Sequence, residues 1–138
     1  MQNRKSGRDS KTILVVEDNS DSREMLRIFL EKAGYNVQEA ENGRDAVDLA
    51  REVYPDLVMI DLNLPVMDGI SAAREIRRLD GLQNVPIIAN SASGSHGIGF
   101  FQNIESLGEG FVEYLPKPFN FAHLIDIISS LLPRKSNV

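Results

Sequence analysis

Hydrophobic and polar positions along the chain switch repeatedly between two spacings. Residues 12–16 (TILVV) form a β-branched apolar run, the pattern of a buried strand. Met25, Leu26, Phe29, Leu30 and Ala33 then recur at helical spacing, with Ser20 placed to cap the helix and Gly34 to end it. Residues 36–40 read as a short strand, and Ala46, Val47, Ala50 and Val53 as a second helix closed by Pro55. A second fully apolar run, 57–61 (LVMID), ends in a carboxylate. Ile70, Ala73 and Ile76 mark a third helix, 86–91 (PIIANS) a further strand, and 111–115 the last strand. A final helix carries Leu124, Ile125, Ile128, Leu131 and Leu132 before Pro133. The weakest section is 92–110, where glycines at 94, 97, 99, 108 and 110 leave room only for a short helix near 98–107; Phe100 and Phe101 within it read as core packing or, second, as an exposed docking patch.

Strands that are apolar throughout, rather than in alternation, are covered on both faces. Strand and helix alternate about five times with short connections, which predicts an α/β fold: a doubly wound, five-stranded parallel sheet with helices on both faces. The expected organisation is a flexible basic tail over 1–10, one domain over 11–133 and a short tail over 134–138. A length of 138 residues suits a single domain. The absence of Cys removes a thiol nucleophile, a Cys-based zinc site and disulfides from consideration. Fifteen Lys and Arg against twenty Asp and Glu give a net charge of -5, a poor match to nucleic-acid phosphates. No apolar run approaches a membrane span, and no apolar stretch follows the basic residues of the amino terminus. A cytoplasmic protein with neither nucleic acid nor membrane among its partners is expected.

In a sheet of this kind ligands bind beyond the carboxyl ends of the strands. Those ends are chemically loaded: Glu17 and Asp18 follow the first strand, Asp61 ends the central one, Ser91 the next, and Lys117 follows the last. Taken singly, most of these have ordinary structural readings as helix caps or surface charge. Asp61 is different, because an ionised carboxylate at the mouth of a buried strand is costly unless paired or metal-bound. Packing gives no reason for all five to share one edge. Crowded carboxylates repel each other unless a cation intervenes, and an oxygen-only site suits a hard divalent ion, most naturally magnesium. One carboxylate oxygen can then act as a nucleophile toward phosphorus, while Lys117 neutralises the oxygens of the transferring group.

The segments ILVVEDN (13–19), LVMIDLNLPVMDG (57–69), PIIANSA (86–92) and YLPKPF (114–119) together resemble the receiver domain of response regulators in two-component and phosphorelay signalling, including chemotaxis-type single-domain receivers. The resemblance spans nearly all of 12–132 and implies a flavodoxin-like receiver fold. It implies that Asp61 accepts a phosphoryl group from a phosphohistidine on a histidine kinase or histidine phosphotransfer protein. Glu17, Asp18, Asp61 and the backbone carbonyl of Asn63 would hold Mg2+. Lys117 would bind the phosphoryl group, and Ser91 and Tyr114 would form the switch that reshapes the face of the fourth helix, fifth strand and fifth helix for a downstream effector protein. It also implies a cis Lys117–Pro118 bond, and reads Asp68-Gly69 as the turn into the third helix.

Three features depart from the family pattern. The interval from Ser91 to Lys117 is long, with the excess in the Gly-rich stretch; Ser91 stands where Thr is commoner; and Asn90 stands where an apolar residue is usual and receives no catalytic role. The two histidines, His96 and His123, have no spacing that argues for a shared metal. Two other functions compete. A pseudo-receiver that binds partners without phosphorylation typically lacks an acidic residue or the lysine, and all are present here. A phosphatase of the haloacid dehalogenase type needs an acid two residues after its nucleophile, where this chain has Asn63. On the receiver reading the protein is no enzyme beyond its own phosphorylation and dephosphorylation. The sequence stops just after the last helix, so three expectations stand: the signal leaves through non-covalent partners, the protein is a phosphate-shuttling or sink receiver, or the chain is a fragment of a longer protein.

Overall fold

The computed structural model describes residues 10–92 and 110–133. Five strands, β1 (Thr12–Val16), β2 (Asn36–Ala40), β3 (Leu57–Asp61), β4 (Ile87–Ala92) and β5 (Phe111–Lys117), form one parallel sheet in the order β2-β1-β3-β4-β5. Four helices are described: α1 (Ser20–Lys32), α2 (Gly43–Val53), α3 (Gly69–Arg77) and α4 (Phe121–Leu131). The doubly wound α/β fold is therefore as expected, its sheet order reversing direction at β1 and β3. The expected helix near 98–107, Phe100, Phe101, His96 and both tails lie outside the described residues, apart from Ser10.

The sheet separates two apolar layers. Val16, Val58, Ile60, Ile87 and Ala89 pack with Ala46, Val47 and Ala50 of α2 and Ala72, Ala73 and Ile76 of α3. On the opposite face Val15, Met59, Ile88 and Leu115 pack with Leu26 and Leu30 of α1 and Leu124 and Ile128 of α4. β3, central and buried at every position, is the strand that ends in Asp61.

Each helix starts with a side-chain oxygen accepting an otherwise unsatisfied backbone N–H. Asn19, not Ser20, does this for α1, accepting from Ser22 N–H at 2.8 Å. Asn42, Asp68 and Asn120 serve α2, α3 and α4. The apolar stripe of α1 is narrower than its spacing suggests. Leu26 and Leu30 are buried, whereas Met25 and Phe29 are exposed, and the Phe29 ring stacks on that of Phe121 at 4.0 Å. β5 runs two residues past the expected end, through Pro116 to Lys117. Proline is tolerated there because β5 lies at the edge of the sheet and has no neighbour on its outer side among the described residues.

Candidate functional site

Strand alternation builds the site. Residues two apart on a strand share a face, so Glu17 follows Val15, Asp61 follows Met59, Asn90 follows Ile88 and Lys117 follows Leu115 onto the side covered by α1 and α4. Glu17 stays extended just past β1, its N–H donating to the Ala40 carbonyl. Where the helices stop covering the sheet, four apolar columns thus end in polar side chains.

Lys117 joins them. Its ammonium donates to Glu17 Oε1 at 2.6 Å and to Asp61 Oδ2 at 2.8 Å, bridging partners 100 and 56 residues away. Asp61 Oδ1 accepts from the Asn63 N–H at 2.9 Å, and Glu17 Oε2 from the Asn19 N–H at 3.1 Å. Glu17 and Asp61 are almost wholly buried, while Asp18 faces solvent. Burial works against the charge on Lys117, but the hydrogen bonds to Asp61 and Glu17, with the charges behind them, outweigh it and hold the ammonium's pKa above that of a free lysine. The Lys117–Pro118 peptide is cis.

Glu17, Asp18 and Asp61 each offer a carboxylate oxygen within 4.8 Å of the others, the only such group of His, Cys, Asp or Glu among the described residues. Three hard oxygen donors at that separation, with one member open to water, fit a divalent cation of the magnesium type. No nitrogen or sulfur ligand is present to favour a softer metal.

Ser91 and Tyr114 lie on the other side of the sheet. Ser91 follows Ala89 onto the face of α2 and α3, fully buried, and Tyr114 is the β5 partner of Ala89. The Ser91 hydroxyl accepts a 3.0 Å hydrogen bond from the Asn63 side-chain amide. Asn63 thus touches both faces: its backbone N–H holds Asp61 and its side chain holds Ser91. The Tyr114 hydroxyl is buried without a hydrogen-bond partner. Burial first, and the Asp61 charge second, push its pKa above the usual phenol range.

The structure brings Glu17, Asp18, Asp61 and Lys117 into one cluster and sets Ser91 behind it. Sequence reasoning assigned Asn63 a carbonyl role and did not anticipate its amide bond to Ser91. It also missed Arg23, whose Nη1 donates to the Glu17 carbonyl at 2.8 Å and braces the loop after β1. Only the helical position of Arg23, one turn past the acidic pair, hinted at this.

The response regulator receiver domain family matches residues 13–129. The chain belongs to that family. The receiver is 36% identical over 122 residues to the chemotaxis protein CheY of Thermotoga maritima, covering 88% of this chain and 97% of CheY. It is 33% identical over 123 residues to the polar-differentiation response regulator DivK of Brucella anthropi, covering 88% of this chain and 96% of DivK. Its fold is similar to the receiver domain of a sensor histidine kinase from Pseudomonas aeruginosa, crystallised with a magnesium ion coordinated in its active-site cleft (TM-score 0.78, 36% identity, 89% of this chain and 98% of that one). The receiver is a signalling regulator of the two-component type, homologous to CheY and DivK. No helix among the described residues is long and apolar enough to cross a membrane.

Proposed function

We propose that Asp61 is the phosphoacceptor of this response regulator, taking its phosphoryl group from a phosphohistidine on a histidine kinase or histidine phosphotransfer protein. One observation carries this reading: the Lys117 ammonium lies 2.8 Å from Asp61 Oδ2, beside three carboxylates whose oxygens converge within 4.8 Å. An Asp61 oxygen attacks phosphorus, the P–N bond breaks, and its electron pair returns to the donor's imidazole. Lys117 then exchanges a carboxylate partner for a phosphoryl oxygen, a shift of its donors rather than of its backbone.

Glu17, Asp18, Asp61 and the Asn63 carbonyl are the residues that hold Mg2+; the bound cation supplies charge neutralisation for the phosphoryl oxygens. Ser91 turns its hydroxyl from Asn63 toward the new phosphoryl group. The space it leaves lies on the face where Tyr114 is buried, so the phenol's position follows the state of Asp61 and changes the surface near β5 and α4 presented to a downstream effector. Beyond its own phosphorylation and dephosphorylation the protein catalyses nothing, and it works in the cytoplasm without binding nucleic acid or membrane.

The test is intact mass after incubation with magnesium and acetyl phosphate. One added phosphoryl group, absent in Asp61→Ala, is expected. An unmodified wild-type protein refutes the reading in favour of a pseudo-receiver, and steady turnover of phosphate esters refutes it in favour of a phosphatase.

A further inference from the structure

Lys117 reaches its carboxylates from two strands away. The sheet order sets β4 between β5 and the strand that carries Asp61, and two strand spacings amount to about 10 Å. The β4 side chain that faces α1 and α4 at the level of Asp61 is Asn90. It is the register partner of Asp61 on one side and, on the other, of Leu115, two residues before Lys117. The stem of Lys117 therefore crosses Asn90 on its way to Asp61 and Glu17. A methylene chain packs best on an apolar neighbour. This one passes over a polar side chain that is 1% exposed and whose Oδ1 has no hydrogen-bond partner. An acceptor so placed is stripped of water with nothing to offset the loss.

A donor is at hand. Ser22 and Lys117 bring side-chain donors to the cavity wall that they share with Asn90. Of the two, the ammonium is the one that a divalent cation displaces, because the cation and the ammonium use the same carboxylates. Glu17, just past β1, is the far anchor of Lys117, and Asp61 on β3 the near one. A cation that takes Glu17 releases the far anchor. An ammonium drawing back toward β5 then comes over the gap between Asp61 and Asn90, neighbours on adjacent strands.

We infer that Asn90 Oδ1 is the second seat of the Lys117 ammonium: when a divalent cation claims Glu17, the N–H that Glu17 held passes to Asn90. This rests on the reading of the acidic cluster as a magnesium site and deepens it. The exchange replaces one charge-assisted hydrogen bond by another and satisfies an acceptor that is orphaned in metal-free protein. Asn90 thereby adds to the affinity for the cation without touching it, and keeps the lysine beside the phosphoacceptor instead of releasing it to solvent. Asn90 is a positioning residue, acting through Lys117.

The experiment is a double-mutant cycle in magnesium affinity, measured by titration calorimetry on the whole chain with no phosphodonor: wild type, Asn90→Leu, Lys117→Met and the double variant. Leucine keeps the branching at Cγ and removes the acceptor. With Lys117 present, Asn90→Leu is expected to weaken magnesium binding about tenfold, the scale of one hydrogen bond to a charged group. In the Lys117→Met background the same change should matter by less than about twofold. A second readout needs no change at Lys117. In magnesium the Lys117 ammonium protons, followed by nitrogen-15 NMR, should exchange with water about tenfold faster in Asn90→Leu than in wild type, while in EDTA the two proteins differ by less than about twofold. An affinity loss that persists without Lys117 makes Asn90 a support of the carboxylates and overturns the assignment. Unchanged affinity, or exchange in magnesium that Asn90→Leu leaves as it was, overturns it too. Wild-type protein that binds no magnesium overturns the metal reading itself, and the role of Asn90 falls with it.

Discussion

Replacing Lys117 with Met tests the electrostatic core of the site, because it keeps the length of the side chain and deletes its charge. The ammonium makes two charge-assisted hydrogen bonds, at 2.6 Å to Glu17 and 2.8 Å to Asp61. Breaking a buried pair by removing one partner costs about 3–5 kcal/mol. Lys117 itself is a quarter exposed, so water screens part of the interaction and about 2–3 kcal/mol is the better expectation for metal-free protein. At roughly 3 °C per kcal/mol for a domain of this size, the thermal midpoint falls by about 6–9 °C in EDTA. Magnesium should narrow the gap. In wild type the cation competes with an ammonium for the same carboxylates; in Lys117→Met it meets them unneutralised. At ten times its Kd a ligand stabilises by about 1.4 kcal/mol, and the tighter site in the variant gains more at the same concentration. The assay is a pair of melting curves for each protein, in EDTA and in magnesium. A variant melting within about 2 °C of wild type in EDTA, or a magnesium-induced rise no larger in the variant than in wild type, refutes this account of the site.

The remaining predictions concern pH, backbone contact and the link to Ser91. The Lys117 pKa is raised on folding, so its contribution to stability is complete below the ordinary lysine value of about 10.4 and is lost as pH rises through the higher folded value; urea titrations of metal-free protein should show that loss, and Lys117→Met should remove it. Tyr114 is shifted in the same direction, so ultraviolet absorbance should show a phenol ionising above the usual range of about 10 that Tyr114→Phe deletes. A Cβ on Gly69 would collide with the Asp61 carbonyl oxygen and lie 2.8 Å from Leu62 Cα, so Gly69→Ala must push the α3 terminus off the strand that carries Asp61. A loss of about 2 kcal/mol or more by urea denaturation and slower labelling of Asp61 are expected, and unchanged values would contradict the contact. Asn63→Ala and Ser91→Ala should each cost about 1 kcal/mol and the double variant less than the sum, because they share the 3.0 Å hydrogen bond; strict additivity would show that the bond contributes nothing.

Much of this molecule was legible in its sequence, for identifiable reasons. β1 and β3 are apolar at consecutive positions because both faces are covered, and few alternative environments produce that pattern in so short a run. Glu17, Asp61 and Lys117 stood out because each interrupts or follows such a run. What escaped was what depends on three-dimensional closeness. Met25 and Phe29 fit the stripe of α1, yet the helix meets the sheet through Leu26 and Leu30, and Phe29 is left to stack on Phe121 from the far end of the chain. The continuation of β5 through Pro116 was hidden because a proline normally argues against a strand, and only its place at the sheet edge permits it. The Asn63 amide could as well have pointed to water; the hydroxyl that receives it is 28 residues away. The unfilled acceptor on Asn90 is invisible to any pattern, since it is defined by what does not surround it.

Glu17 and Lys117 are 100 positions apart yet 2.6 Å from each other. A ribosome that has released the first four strands has therefore made both buried carboxylates but not yet the lysine that neutralises them. The cluster is closed only by the final strand: a chain that stops after β4 holds the three carboxylates without the ammonium that ties two of them together.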